Sequence, residues 1–279
     1  MTPQLQKKVD FAIKLLQSIP QDSEIEVSYS GGKDSDVILE LAKMAGIPYR
    51  AIYKNTTIDP PRTIAHCKSK GVEVINPQKN FFELVREHGL PSRFYRFCCG
   101  YLKEYKILDS SVQGIRRCES TKRAERYKEP EVCRTYSKEE KARIYLPILE
   151  WTNEDVAEFI KERGIKCHPL YYDEQGSFHV ERRLGCIGCP LRSDNGKSEF
   201  LKYPKFLKQL IRSMQVWVDT HPNTKTVKKY GNAYNAVFQN LFCSDYRHFQ
   251  SLTEGGLFPE TAIDAKSFME DYFKIDLTL

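Results

Sequence analysis

Ile25-Glu26-Val27-Ser28-Tyr29 alternates as a half-buried strand does, runs into Ser30-Gly31-Gly32-Lys33-Asp34-Ser35, and is followed by Val37, Ile38, Leu41, Ala42 and Ala45 on one face of a helix. A strand, a glycine turn and a helix in that order point the first backbone N–H groups of the helix at whatever lies above the turn, and those groups favour an anion. Two glycines let the chain turn tightly and approach a phosphate closely, Lys33 adds positive charge, and the Ser30 and Ser35 hydroxyls donate to phosphate oxygens. A glycine pair alone is as consistent with a helix-entry turn and a capping serine. The whole six-residue run between strand and helix favours the phosphate. It is not the Walker loop, which needs G-x-x-x-x-G-K-[ST].

Outward from this loop the same alternation continues. Leu5, Val9, Ala12 and Leu16 give a helix over 3–19, stopped by Pro20. Short apolar segments at 49–53, 72–75, 111–115 and 142–148 alternate with helical stretches at 61–70, 79–88 and 152–163. This pattern predicts an α/β fold, a mostly parallel, doubly wound sheet with crossover helices. Thr152 and Asp155 mark the start of the helix over 152–163 and Gly164 its end. From 199 onward Tyr203, Phe206, Leu207, Leu210, Ile211, Met214, Trp217 and Val218 recur at helical spacing with no strand after them. Two regions are expected: an α/β domain over 1–195, and a helical appendage over 196–279.

The chain has 279 residues, a formal net charge of +6, 41% hydrophobic and 29% charged residues, the composition of a globular protein rather than a disordered or fibrous one. No uncharged apolar run approaches a membrane span, and Asp10 interrupts the N-terminal pattern a signal peptide would need, so a cytoplasmic protein without a membrane partner is expected. Nine reduced cysteines then raise metal or redox chemistry. Cys98-Cys99 and Cys186-x-x-Cys189 supply four thiols, for which zinc and an iron–sulfur cluster are equally open from spacing. Adjacent cysteines share a centre only if the backbone at 98–99 is helical or irregular. Cys67, Cys167 and Cys243 read as packing thiols, whereas Cys118 and Cys133 lie among seven Lys/Arg between Arg116 and Arg134. Arg116 and Arg117 follow the strand ending near Gly114, where ligands of open α/β sheets sit, and are expected to contact substrate phosphate or sulfate. No H-x-x-x-H pair or G-x-S-x-G elbow supports a zincin or serine hydrolase.

Ser30 to Ser35 resembles the pyrophosphate loop of the adenine-nucleotide α-hydrolase superfamily, and further segments narrow the resemblance to the phosphoadenosine phosphosulfate (PAPS) reductase family. Asn55-Thr56-Thr57-Ile58-Asp59-Pro60-Pro61 is similar to its Asp-Thr-Gly segment, and Phe97-Cys98-Cys99-Gly100-Tyr101-Leu102-Lys103 to its double-cysteine motif with a following lysine. Gly114-Ile115-Arg116-Arg117-Cys118-Glu119-Ser120 resembles its Gly-Ile-Arg-x-x-Glu-Ser segment. Leu146-Pro147-Ile148-Leu149-Glu150-Trp151-Thr152 resembles its Pro-Leu-x-x-Trp-Thr helix entry. His168-Pro169-Leu170-Tyr171 and Gly185-Cys186-Ile187-Gly188-Cys189-Pro190 resemble its Asn-Pro-Leu-Tyr and Cys-x-x-Cys end.

The resemblance implies adenine-nucleotide binding by Ser30, Gly31, Gly32, Lys33, Asp34, Ser35, Asn55, Thr56, Thr57 and Gly114, with Lys33, Asp34 and Arg116 as catalytic candidates. Lys103, Arg116 and Arg117 are the implied substrate contacts. A [4Fe–4S] cluster on Cys98, Cys99, Cys186 and Cys189 is implied over zinc, with Mg²⁺ accompanying ATP. The sequence ends MEDYFKIDLTL, without the Glu-Cys-Gly-Leu-His tail of the sulfonucleotide reductases, and its glycine loop is the intact form of ATP-cleaving relatives. These features imply ATP-dependent sulfur transfer, resembling DNA phosphorothioation and tRNA thiolation. The alternatives are a reductase of adenylyl sulfate or PAPS, in which Cys118, Cys133 or Cys243 attacks, and a non-catalytic nucleotide-binding subunit. Expected partners are a sulfur donor or thioredoxin-like reductant, a nucleic acid or protein, and a second copy in a homo-oligomer.

Overall fold

The computed structural model describes residues 1–20, 24–136, 138, 140–255 and 259–279. They form two compact units.

The first unit, 1–55, 59–76 and 103–185, holds a six-stranded sheet. Its strands are β1 (Ile25–Tyr29), β2 (Tyr49–Lys54), β3 (Glu73–Ile75), β4 (Ser110–Val112), β5 (Glu131–Thr135) and β6 (Lys141–Tyr145), in the spatial order β3-β2-β1-β4-β6-β5. All neighbours are parallel except β5 and β6. The chain leaves β1 toward β2 and β3, then returns to β4 on the other side of β1. The loops after β1 and β4 therefore flank the point where strand order reverses, the crevice in which open α/β sheets bind ligands. β1 has four of its five residues buried, as a central strand covered on both faces should. Helix Pro3–Gln17 buries the expected stripe of Leu5, Val9, Ala12 and Leu16, and Thr2 Oγ1 caps it by accepting from the Leu5 N–H at 3.3 Å. Helix Asn153–Glu162 opens with the reciprocal Thr152/Asp155 capping box its sequence predicts.

The expected doubly wound, mostly parallel sheet is present. β5 was not expected: the 116–143 stretch reads as a charged surface segment because its strand exposes Glu131, Cys133 and Thr135 and half-buries Val132 and Arg134.

The second unit, 56–58, 77–102 and 186–279, is helical. The stripe predicted from 199 onward lies mainly on helix Pro204–Thr220, which buries Leu207, Leu210, Ile211, Met214, Trp217 and Val218. Helix Phe81–His88, expected as a crossover beside the sheet, packs against this helix instead and places Phe81, Leu84 and Val85 in the same core. The units thus divide differently from the expected boundary at 195: the helical one takes in 77–102 and begins its last segment at Cys186.

His168 occupies the position where the resembled motif has Asn and caps the short turn that follows: its Nδ1 accepts from the Leu170 N–H at 3.2 Å. Burial, then the neighbouring His66, pushes its pKa from 6.5 down to about 4. An unfolded chain therefore binds a proton at this ring at pH values where the folded chain does not. Stability contributed by neutral His168 is present above about pH 6.5 and is lost as pH falls toward 4. Urea unfolding of the wild type and His168→Asn between pH 4 and 7 should show a shallower pH slope for the variant. Equal slopes would remove His168 as the cause.

Candidate active site

The glycine loop needs its glycines for identifiable reasons. Gly31 is left-handed (φ +78°), and a Cβ on it would lie 3.0 Å from Thr63 Cγ2 and 3.1 Å from Leu184 Cδ2. Gly32 holds the N-cap position of helix Lys33–Ala45 without a side-chain cap, leaving the helix start open to an external acceptor. Gly114, in the loop after β4, lies so close to the glycine loop that its Cβ would stand 2.9 Å from the Asp34 carbonyl oxygen. β1 and β4 pair directly, so their two loops are held together by the sheet.

Lys33 and Arg116 are almost wholly buried, 3% and 1% exposed, and Asp34 lies between them. Lys33 Nζ is 3.0 Å from Asp34 Oδ2, and Arg116 Nε is 2.8 Å from Asp34 Oδ1, an ion pair at an angle that makes no hydrogen bond. The Arg116 guanidinium also donates to Asn153 Oδ1 at 3.0 Å, to the Trp151 carbonyl at 3.4 Å and to Cys118 Sγ at 3.1 Å. Arg116 is thus turned inward. There its Nε stands against Asp34, whose other carboxylate oxygen pairs with Lys33.

Above the loop lies a cavity of about 200 Å³ lined by Ser30, Lys33, Ser35, Glu119, Arg123 and Arg183 among others. Arg123 and Arg183 supply the cationic face expected of Arg116 and Arg117. Glu119 holds both: it pairs with Arg123, its carbonyl accepts from Arg183 at 3.4 Å, and its carboxylate is 3.7 Å from the same arginine. Burial, and next the charge of Arg183, lower the Arg123 pKa, as expected of cations gathered where an anion is to bind. The sequence signal for these two was the charged run itself, read as solvated surface, and the Arg182-Arg183 pair before Gly185.

An adjoining cavity of about 180 Å³ shares Ser28 and Ser30 with the first and is lined by Lys54, Lys103, Arg134 and Tyr136. Lys54 Nζ is 3.3 Å from the buried Glu26, donates to the Tyr105 carbonyl at 2.6 Å, and has a pKa lowered mainly by burial. Lys103 lines this cavity, with Asp59 3.7 Å away. Arg134 lies over the Tyr136 ring, 4.7 Å from its centre.

Other expected residues are placed elsewhere. Arg117 pairs with Glu150 and donates to the Tyr127 and Lys128 carbonyls. Asn55 donates to Asn76 Oδ1 at 2.9 Å. Thr56 and Thr57 belong to the second unit, where Thr56 Oγ1 accepts from Cys186 Sγ at 3.7 Å and Thr57 Oγ1 from the Phe81 N–H at 2.9 Å.

Cys98, Cys99, Cys186 and Cys189 all lie in the second unit. Cys98 and Cys99 sit on helix Phe97–Leu102, which satisfies the condition that neighbouring thiols not face opposite ways. The Cys99 thiol, burial, and then Cys186 and Cys189 raise the Cys98 pKa, so the four sulfurs share one neighbourhood. Among the described residues no group of three or more His, Cys, Asp and Glu side chains forms a metal-ion site. The donor set itself, four thiols and no carboxylate, suits a structural zinc ion and an iron–sulfur cluster equally. Of the other cysteines, Cys243 is buried with a pKa raised by burial to about 11, and Cys133 lies exposed on β5. Among the described residues no helix is long and apolar enough to cross a membrane.

A cationic cavity over a glycine loop at the strand-order reversal of a doubly wound sheet is the arrangement of an α/β protein of the pyrophosphate-loop class. Residues 24–192, more than half of the chain, match the model of the phosphoadenosine phosphosulfate reductase domain, and the chain belongs to that family. An uncharacterized protein of Methanocaldococcus jannaschii is 30% identical over 78% of this chain and 51% of its own length. The chain spans about half the length of this and a second such relative, at 51% and 42%. Sulfate adenylyltransferase subunit 2 of Shewanella baltica is 25% identical over 72% of this chain and 76% of its own. A solved phosphoadenylyl-sulfate reductase from Candida auris aligns with 67% of this chain and 96% of its own at 14% identity and a TM-score of 0.43.

Proposed function

We propose that this protein binds MgATP on Ser30–Ser35 and transfers its adenylyl group to an oxyanion or hydroxyl acceptor, as the activating step of sulfur transfer. The observation that carries this reading is the pair of adjoining cavities joined at Ser28 and Ser30. The first, with Lys33, Arg123 and Arg183, suits the β- and γ-phosphates. The second, with Lys54, Lys103 and Arg134, suits an anionic acceptor. In the step an acceptor oxygen attacks the α-phosphorus, the bond from that phosphorus to the bridging oxygen breaks, and pyrophosphate leaves with the electron pair and, where the acceptor is a hydroxyl, with its proton. The cationic cavity stabilises the charge that builds on the leaving group, and the loop contributes by positioning. The relative named as a sulfate adenylyltransferase subunit supports both adenylyl transfer and a partner subunit.

Cys98, Cys99, Cys186 and Cys189 would hold a [4Fe–4S] cluster, which when bound would supply a site for sulfur or electron delivery. The chemistry of the donor set supports iron over zinc only together with the family resemblance. Protein purified anaerobically should be brown, with a broad visible absorbance that dithionite bleaches; a colourless protein containing zinc would remove the cluster.

A second reading, reduction of adenylyl sulfate or PAPS, is favoured by Cys118, whose sulfur accepts from Arg116 at 3.1 Å beside the loop. The readings separate in one assay. Pyrophosphate release from ATP on addition of candidate acceptors, sulfate first, supports adenylyl transfer. Sulfite release from PAPS with thioredoxin and without ATP would overturn it.

A further inference from the structure

Helix Lys33–Ala45 begins at the phosphate loop, and its later turns line a different cavity, of about 760 Å³, which shares no residue with the loop cavity. Its other walls come from helix Thr63–Ser69 and the segment 163–169. Five cations, Lys43, Arg62, Lys70, Arg163 and Lys166, face two carboxylates, Asp36 and Glu40. The carboxylates are already engaged. Glu40 accepts from Arg163 at 2.7 Å, and the buried Asp36 accepts from the Tyr29 hydroxyl, with His66 Nε2 at 3.2 Å and Lys70 Nζ at 3.9 Å. Lys43, Arg62 and Lys166 remain, with no ion-pair partner among the described residues. Between them the wall is apolar: Leu39, Ala65, Ile165 and Pro169. Three unpaired cations around an apolar wall suit a molecule with an anionic end and an apolar or planar body. The volume falls within the roughly 300–1,000 Å³ of small-molecule sites.

We propose that this cavity is a second ligand site, for a soluble organic phosphate of nucleotide size, distinct from the glycine loop. Lys43, Arg62 and Lys166 receive the phosphate, and Leu39, Ala65, Ile165 and Pro169 receive the body. Because one helix runs from the loop to this cavity, an occupant here touches the element that carries Lys33 and Asp34.

The test uses the full chain with adenosine 5′-monophosphate and, separately, inorganic phosphate. With the nucleotide, amide hydrogen exchange should slow across 62–70 and 163–169. Lys43→Glu/Arg62→Glu/Lys166→Glu, all exposed positions, should abolish that protection and weaken nucleotide binding at this site about tenfold or more. MgATP protection of 30–35 should survive in the same variant, so the loop reading and this one fail separately. Unchanged exchange at 62–70 and 163–169 under saturating nucleotide, or undiminished protection there in the variant, would overturn the site. Inorganic phosphate binding as tightly as the nucleotide would overturn the assignment of an organic ligand.

Discussion

Asp34→Ala should cost about 3–5 kcal/mol of folding stability, because removing one partner of a buried ion pair strands the other charge. Here two charges are stranded. Arg116 is 1% exposed and Lys33 is 3% exposed, and the same carboxylate stands within 3.0 Å of both. Asn153 and the Trp151 carbonyl can keep hydrogen bonds to Arg116 but bring no negative charge. Urea unfolding of the single variant and of Asp34→Ala/Arg116→Met gives the decisive comparison, since a similarly shaped apolar side chain removes the stranded guanidinium. The double variant should recover a substantial part of the loss. If it is no more stable than the single one, the charge of Arg116 is not the source of the effect.

Gly114→Ala should weaken MgATP binding about tenfold or more, because it drives apart the two loops that build the cavity. The new methyl would sit 2.9 Å from the Asp34 carbonyl oxygen and 3.1 Å from its carbonyl carbon, and main-chain atoms cannot swing aside as a side chain does. Either the loop after β4 retreats or Lys33–Ala45 shifts at its start; both separate the two loops that build the cavity. Gly185→Ala is the matched control, because nothing lies within 4 Å of the Cβ it would add. Calorimetric titration with MgATP on both variants, with circular dichroism to confirm folding, checks this. Equal affinity for the two would show that the close approach at Gly114 does not hold the nucleotide loop.

What the sequence makes legible here follows the strength of local signals. The strand, turn and helix around Ser30 to Ser35 are written in consecutive residues, and so is the Thr152/Asp155 capping box; both are present. Arg116 was legible as important but not in its direction. Whether an arginine after a strand turns toward solvent or inward depends on Trp151 and Asn153, more than thirty residues away. Arg123 and Arg183 were hidden for the opposite reason. A run of mixed charges looks the same whether it is solvated or folded over a cavity, and only Glu119, joining the two, distinguishes the cases. Phe81, Leu84 and Val85 have the period of a crossover helix, and periodicity does not say which core an apolar face will enter.

Among the described residues β5 is the one strand of the six-stranded sheet that runs antiparallel to its neighbour, and this bears on how the protein can diversify. A parallel strand is tied to its neighbour by a crossover of a dozen or more residues, whereas an antiparallel one needs only a short return, and here β5 ends at Thr135 and β6 begins at Lys141. Arg134, near the end of β5, and Tyr136, just past it, line the cavity beside the nucleotide loop. β5 stands at the edge of the sheet and joins the parallel strands through β6 alone, so a change in β5 reaches them through one neighbour. Under the proposed reaction, changes confined to β5 would reshape the acceptor cavity at Arg134 and Tyr136 and leave the glycine loop in place.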